Sequence, residues 1–435
     1  MPASSISSRS SLSRQEIRKF DSSARNEQPI FRPFFDSSKE AKLARAIYLK
    51  IFCGASLAII VLIFAVFSIY WGSLWKTPVR DLKGWVVDFD GGLIGKSVVD
   101  TLSLSSSASK VSWSVIPASE FPAGPSAVGA LVLEEHTWVA ITINQGSSSR
   151  LSQSLITPNA TYDGSEAVSV FAVEARNENA FRNLIKPSVE GALDAIFKTI
   201  ATQSAQQIAN STNLSELLTI SPQTLVTPVS YRMTNLAPFD VPLATAVTFV
   251  GLIYQLILSF FIVMITNAAR EGSGLDKTLP TRSLIILRLF SSFAGYLFIS
   301  LFYCLLSVAF QLPLSRNGFL VFWMLNYCSM LSVGLALESL MTLLTVKGIP
   351  FFMITWIISN VAVCIFPIEV MPIIFRYGYA APFYNVSRAM RTIVFGTKNI
   401  VGESFGILIV WIAISCMTLP LIQIFVRRKS DARPS

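Results

Sequence analysis

The stretch Ile47-Tyr-Leu-Lys50-Ile-Phe-Cys53-Gly-Ala-Ser-Leu-Ala-Ile-Ile-Val-Leu-Ile-Phe-Ala-Val-Phe-Ser-Ile-Tyr-Trp71 decides the class of fold. It runs 25 residues with one charge, Lys50, and a helix needs roughly 20 mostly apolar residues to cross a bilayer's hydrocarbon. More than forty polar residues precede it, and it is too long for a signal-peptide core, so it reads as an uncleaved anchor. Five further windows of the same kind follow, at 241–266, 284–310, 318–344, 349–366 and 405–426. Only Lys50, Arg288 and Glu338 bring charge into the six. At 52% hydrophobic and 14% charged content the chain is too apolar for an ordinary soluble protein. The expectation is an α-helical membrane protein: six transmembrane helices with an α+β exterior domain between helices 1 and 2.

Basic residues flanking spans resist translocation, so their distribution orients the chain. One side collects 18 Lys and Arg, from residues 1–50, the loop after span 2, Lys347 and the C-terminal tail. The other side has 16, spread over more than twice the length. Both termini are therefore expected in the cytoplasm. Residues 1–46 form a Ser/Arg-rich tail of disordered composition. A phosphorylatable arm and a solvated tail that orients the first span both fit it, and the second is the expectation. Helix 1 follows at 47–71, the exterior domain at 72–240, and a five-helix transmembrane domain at 241–426, with an interfacial segment at 367–404 inside it. Residues 427–435 close the chain as a cytoplasmic tail.

The exterior segment carries 15 acidic and 11 basic residues and has the pattern of a folded α+β domain. Short runs rich in Val, Ile, Trp or Phe at 84–90, 111–116, 137–143 and 168–174 read as strands. From 179 to 209, Phe181, Leu184, Ile185, Val189, Leu193, Ile196, Phe197 and Ile200 recur at spacings of three and four, which marks one buried helical stripe. Such a stripe packs on the sheet or on a partner subunit. Cys53, Cys304, Cys328, Cys364 and Cys416 all lie in apolar runs, so this domain folds without a disulfide of its own. With one histidine, His136, and no cysteines at ligand spacing, no Cys/His zinc site can be assembled, and neither metal nor cofactor is expected.

The net charge of +9 does not gather on one soluble face, so nucleic acid is not an expected partner. Asp90-Gly-Gly-Leu-Ile-Gly-Lys96-Ser97 has the outline of a phosphate loop but not its spacing. Gly91 to Gly95 leaves three residues where four must wrap the phosphates. Asp88 and Asp90 share one face of a strand and more readily cap the following turn than do acid/base work. His136 has no nucleophile-elbow serine beside it, so no enzyme is expected.

Two constellations remain. From Phe383 the apolar residues Phe383, Val386, Met390, Ile393 and Val394 form one helical face, with Asn385, Arg388 and Arg391 elsewhere. That pattern reads as an interfacial helix in the outer leaflet, with Tyr377, Tyr379 and Tyr384 at headgroup level. Mere anchoring and a lipid-contacting gate are both open. The second is the ionisable pair Glu338 in window 318–344 and Arg288 in window 284–310. These windows run in opposite directions, so both charges fall in the cytoplasmic half and can pair. Either an inert ion pair or a proton or substrate role follows.

Val86-Val-Asp88-Phe-Asp90-Gly-Gly, Tyr377-Gly-Tyr-Ala-Ala-Pro382-Phe-Tyr-Asn385, and Phe395-Gly-Thr-Lys-Asn399 leading through Gly402 and Gly406-Ile-Leu to Trp411 resemble the fungal nitrosoguanidine-resistance family of multi-pass membrane proteins. The resemblance covers roughly residues 40–430. More distantly, one span, a large exterior domain and five spans look like the membrane half of ABC-type export permeases and the bacterial phage-infection proteins. The resemblance implies a plasma-membrane or endomembrane protein linked to drug tolerance, and to lipid distribution between leaflets. It supplies no catalytic residues. Two functions follow as expectations: a permease-like exporter or lipid-handling protein taking a small molecule or a lipid, and a non-transporting regulator or scaffold bound to a membrane protein or to a second copy of itself.

Asn159-Ala-Thr161, Asn210-Ser-Thr212 and Asn213-Leu-Ser215 are glycosylation acceptors by pattern, and all lie on the side that charge counting places outside. At least one of Asn159, Asn210 and Asn213 should carry glycan, so glycosidase should shift the mobility of the protein on a gel. An unshifted band together with a cytoplasmic tag at residue 160 would overturn the orientation.

Overall fold

The computed structural model describes residues 33–104, 110–209, 214–314 and 316–431; residues 1–32 of the expected tail, and Asn210 and Asn213, lie outside the described residues. Two compact units divide the chain after Phe64. In the first, α1 (Lys39–Leu62) starts where the Ser38 hydroxyl accepts from the Ala41 amide, and Arg45 donates to the carbonyls of Phe34 and Asp36 at 2.9 Å each. Such a cap satisfies donors that the first helical turn leaves free.

In the second unit, five strands build one mixed sheet: β1 (Leu82–Asp88), β2 (Val111–Ile116), β3 (Val139–Ile143), β4 (Val168–Ala172) and β5 (Tyr231–Asn235), in the spatial order β2-β1-β3-β4-β5. β1 runs parallel to β2 and β3, while β4 is antiparallel to β3 and parallel to β5. Every residue of Val139-Ala-Ile-Thr-Ile143 is buried, as a central strand covered on both faces requires. Ile141 and Ile143 join a core with α2 (Leu93–Leu104) and the long helix, whereas Ala140 joins a second core with Val128 and Val132 of α3 (Pro125–Leu133). α4 (Ser147–Ile156) and then α5 (Lys186–Ile208) follow, and α5 buries Val189, Leu193, Ile196, Phe197 and Ile200 on the sheet. The stripe read from sequence thus packs on the sheet.

The strand at 231–235 has no counterpart among the sequence expectations. Asp88 and Asp90 cap their turn: Asp88 Oδ1 accepts from the amides of Asp90 and Gly91 at 2.9 and 3.0 Å, and Asp90 accepts from Gly92 and Ser148. The amides a phosphate would need are already taken.

Among the described residues five helices are long and apolar enough to cross a membrane: Lys39–Leu74, Ala246–Gly272, Thr281–Ala309, Gly318–Val361 and Val401–Lys429. The expected six differ because windows 318–344 and 349–366 share one helical stretch. The last four contribute α6 (Gly251–Gly272), α7 (Thr281–Ala309), α8 (Arg316–Val361) and, after α9 (Pro382–Phe395), α10 (Val401–Asp431). α8 is interrupted at Thr345, whose φ of 59° and ψ of 175° are not helical. At about 1.5 Å per residue an unbroken helix of this length would span roughly twice a bilayer core. Thr345 and Val346 line a cavity with Arg270, at the C-terminal end of α6. By Ile365 the chain has reached the other end of the bundle, where the carbonyl of Ile365 accepts from Asn177 and Asn179 of the mixed domain.

α7 and α8 touch at Gly334. A Cβ there would lie 2.2 Å from the hydroxyl and 2.4 Å from Cζ of Tyr296, a fully buried ring. Glycine is required by proximity, since the Tyr296 hydroxyl is held by the Ser259 carbonyl at 3.2 Å. Gly334→Ala should therefore destabilise the purified protein by about 1–3 kcal/mol, whereas Gly406→Ala, with nothing within 4 Å, should leave its melting temperature unchanged or raise it. Equal melting curves for the two variants would refute the close contact.

Candidate functional site

The α6 face that packs inward carries Gln255, Ser259, Val263 and Arg270, steps of four, four and seven residues that keep one side of the helix turned to α8. Arg270 sits in the last turn. α7 contributes Arg288 and α8 contributes Glu338, and helices running in opposite directions bring all three to the same depth. Glu338 is wholly buried, Arg288 3% exposed and Arg270 7% exposed.

Both guanidiniums converge on one carboxylate oxygen. Arg288 Nε donates to Glu338 Oε1 at 2.6 Å, and Arg270 Nη2 lies 3.0 Å from the same atom. Arg288 also donates to the Glu338 carbonyl, to Thr342 Oγ1 and to Gln423 Oε1 of α10, so it ties three helices together. Arg270 is less fully matched: its Nη1 and Glu338 Oε2 are buried without a hydrogen-bond partner. The sequence expectation pairs Arg288 with Glu338 and leaves Arg270 in the loop after span 2; the periodicity of Gln255, Ser259 and Val263 is the signal that places it inside. Above the trio a polar seam continues. Gln255 Nε2 donates to Asn326 Oδ1, and Ser259 Oγ donates to the Gln255 carbonyl at 2.7 Å.

Of the residues expected at the outer leaflet, those on the apolar face of α9 are covered, whereas two of the tyrosines are not. Phe383, Val386 and Met390 are buried, and α9 packs on the turn at Ala246–Val250 that leads into α6, on α8 and on α10, so its apolar face is covered by protein. An amphipathic helix shows the same pattern against lipid and against protein, and here the protein takes it. Tyr377 and Tyr379 are 42% and 45% exposed, and the Tyr377 hydroxyl donates to the Ser359 carbonyl at 2.7 Å. Tyr384, half-buried, stands edge-on to Tyr379 with centroids 5.9 Å apart.

The polar face of α9 holds the mixed domain. Arg388 Nη2 donates to Glu135 Oε2 at 2.7 Å, and Arg391 Nη1 donates to Glu178 Oε2 and, at 3.0 Å, to the Ala175 carbonyl. Arg176 stacks 3.5 Å above the Trp138 ring, between Glu135 and Glu369. Burial pulls the Arg176 guanidinium down from its ordinary value, against the upward pull of the two glutamates. Burial works upward on the Glu178 carboxyl, but the charge and hydrogen bond of Arg391 override it and hold it below the usual range. Asn159 is exposed, its Oδ1 accepting from the Thr161 amide at 2.9 Å, whereas the Asn385 side chain is buried and donates to the carbonyls of Tyr379 and Ala381. Among the described residues no group of His, Cys, Asp and Glu is arranged to hold a metal ion.

Residues 55–417, from the first span through this charged cluster and into α10, match the family described as protein of unknown function DUF3533. The chain belongs to the DUF3533 family. It is similar to an uncharacterized endoplasmic reticulum membrane protein of Saccharomyces cerevisiae, 25% identical over 430 residues that cover 91% of this chain and 83% of the yeast protein. No solved structure matches. As a DUF3533 protein with several membrane-crossing helices, the chain is a multi-pass membrane protein.

Removing one partner of a buried ion pair strands the other charge and costs roughly 3–5 kcal/mol. Glu338→Gln strands two guanidiniums and should be the most destabilising single change in the bundle of this DUF3533 protein. Arg270→Gln should be milder, because Arg288 keeps the carboxylate. Charge exchange, Glu338→Arg with Arg288→Glu, should rescue only in part, since Arg270 loses its partner. Size-exclusion survival after heating reads all three; equal loss in Glu338→Gln and Arg270→Gln would refute the shared-carboxylate account.

Proposed function

We propose that this protein is a permease-like membrane protein that moves an amphipathic small molecule or a lipid across or between leaflets, and so contributes to chemical tolerance. The observation that carries the reading is the Arg270–Glu338–Arg288 trio. Ionisable groups inside spans are expensive at about 2.5–3.5 kcal/mol each on insertion scales and persist where they serve a pathway or a partner. Here the two arginines of the trio line a cavity of about 710 Å³ at one end of the bundle, with Glu338 buried behind them. Towards the other end an apolar groove of about 750 Å³ runs past Ile69, Gly72, Trp356, Phe375, Pro382 and Trp411. A charged mouth and an apolar groove on one bundle suit a substrate with a polar head and a greasy body.

In this reading α8 folds back at Thr345 and crosses twice, giving six crossings with both termini in the cytoplasm. The mixed domain and the Asn159 sequon then face the lumen or the exterior, as the basic-residue count favours. The yeast relative's name places that protein in the endoplasmic reticulum, and we carry that compartment over in preference to the plasma membrane. Nitrosoguanidine resistance belongs to the same proposal as one form of tolerance.

A second reading, a non-transporting regulator or scaffold that holds a membrane protein partner or a second copy, is favoured by the clamp on α9. A domain fixed to the bundle through Arg388, Arg391 and Arg176 is a rigid platform. Liposomes separate the two. With the full chain reconstituted, a fluorescent short-chain lipid or an amphipathic dye should equilibrate across the bilayer faster than in empty vesicles, and Glu338→Gln should abolish the gain. If neither probe crosses under any imposed proton or salt gradient, transport is refuted and the platform reading stands.

A further inference from the structure

The charge around Glu338 is not balanced by the protein itself. Two guanidiniums face one carboxylate, leaving one buried positive charge over. Burial of an uncompensated charge costs several kcal/mol. The excess has an address, because Arg270 Nη1 is buried, meets no acceptor, and belongs to a side chain that lines the cavity of about 710 Å³. Thr281, Thr342, Asn267 and Gln423 add polar groups to the same wall, and Lys277 and Arg427 add charge. Arg427 is held in place by donating to the Asp276 carbonyl at 2.9 Å and to Thr281 Oγ1 at 3.2 Å.

The wall also contains carboxylates. Glu271 is engaged by Asn267, which donates to it at 2.8 Å, and Asp276 has one buried oxygen without a partner, beside Lys277. Four basic residues still outnumber Glu271, Asp276 and the Glu338 behind them. A cavity with surplus guanidinium and ammonium donors calls for a multidentate anion, and phosphate oxygens match the arginine fork. Its position at the end of the membrane-crossing helices is the level at which lipid phosphates lie.

We propose that this cavity binds a phosphate group, with the Arg270 guanidinium shifting so that its unpartnered, now buried Nη1 reaches a phosphate oxygen and with Lys277 and Arg427 adding charge from the cavity wall. The phosphate belongs to a lipid headgroup or to a soluble phosphate compound. As a statement of substrate class the inference rests on the transport reading; as a binding site it is tested apart from it. Binding replaces the missing acceptor of Arg270 and returns the buried cluster to neutrality.

The test uses the purified full chain in two arms. In phosphatidylcholine nanodiscs doped with phosphatidic acid, native mass spectrometry should recover phosphatidic acid bound to the protein at least about tenfold above its share of the bilayer. In undoped nanodiscs, inorganic phosphate is compared with chloride at equal ionic strength, and a rise in melting temperature with phosphate alone would assign the site to a soluble phosphate. Arg270→Gln should abolish whichever effect is seen. Should that variant fail to fold, Lys277→Gln with Arg427→Gln, which leaves the buried trio intact, should weaken it about tenfold. The proposal is overturned if neither probe binds, or if wild type and these variants behave alike. Transport in liposomes without such binding would sink the site and leave the transport reading standing. Phosphate binding without transport would do the reverse.

Discussion

One carboxylate oxygen, Glu338 Oε1, is the point on which the helical bundle closes. It accepts from α7 and faces a second guanidinium from α6, while Arg288 reaches on to Gln423 of α10. Hydrophobicity alone gives little drive for helices to associate in a membrane, because lipid tails are as apolar as leucine, so close packing and polar pairing must set the register. Polar groups do so, since each must find its partner or remain unpaired in a medium of low dielectric. The seam from Glu338 through Ser259 and Gln255 to Asn326 therefore fixes how α6, α7 and α8 are threaded. Gly334 then lets the Tyr296 ring into the same contact.

Much of this architecture was legible in the sequence, and the limits have physical causes. The apolar windows marked the spans because the length of an apolar run is set by bilayer thickness. The windows 318–344 and 349–366 are parted by Thr345-Val-Lys-Gly348, with Pro350 just beyond, which announces a break, but nothing in that pattern says that helical structure resumes within a residue of Thr345 so that one stretch runs through both. In the mixed domain the strands rich in Val and Ile were visible. β5, Tyr231-Arg-Met-Thr-Asn235, was not, because an edge strand that buries little needs little hydrophobic patterning.

The candidate site shows the same division. Arg288 and Glu338 stood out because charge inside an apolar window is conspicuous. Arg270 stood just past such a window and looked like an ordinary flanking base, although its helical face put it with Gln255 and Ser259. For α9 the periodicity was readable and its meaning was not. A stripe of Phe383, Val386 and Met390 says that one side avoids water, and only the fold says what replaces water there.

The clamp between α9 and the mixed domain also has a bearing on how the chain is made. Glu135 meets Arg388 across 253 positions, and Glu178 meets Arg391 across 213. Contacts of such separation form late, and domains emerge from the ribosome in N-to-C order. The mixed domain is thus synthesised with Trp138, Arg176 and Glu178 uncovered, and it stays so until every later span but the last has been threaded into the bilayer. During that interval it presents a half-finished surface to whatever assists folding on its side of the membrane. Chains halted before residue 382 would share this surface, giving quality control a way to tell an incomplete protein from a finished one.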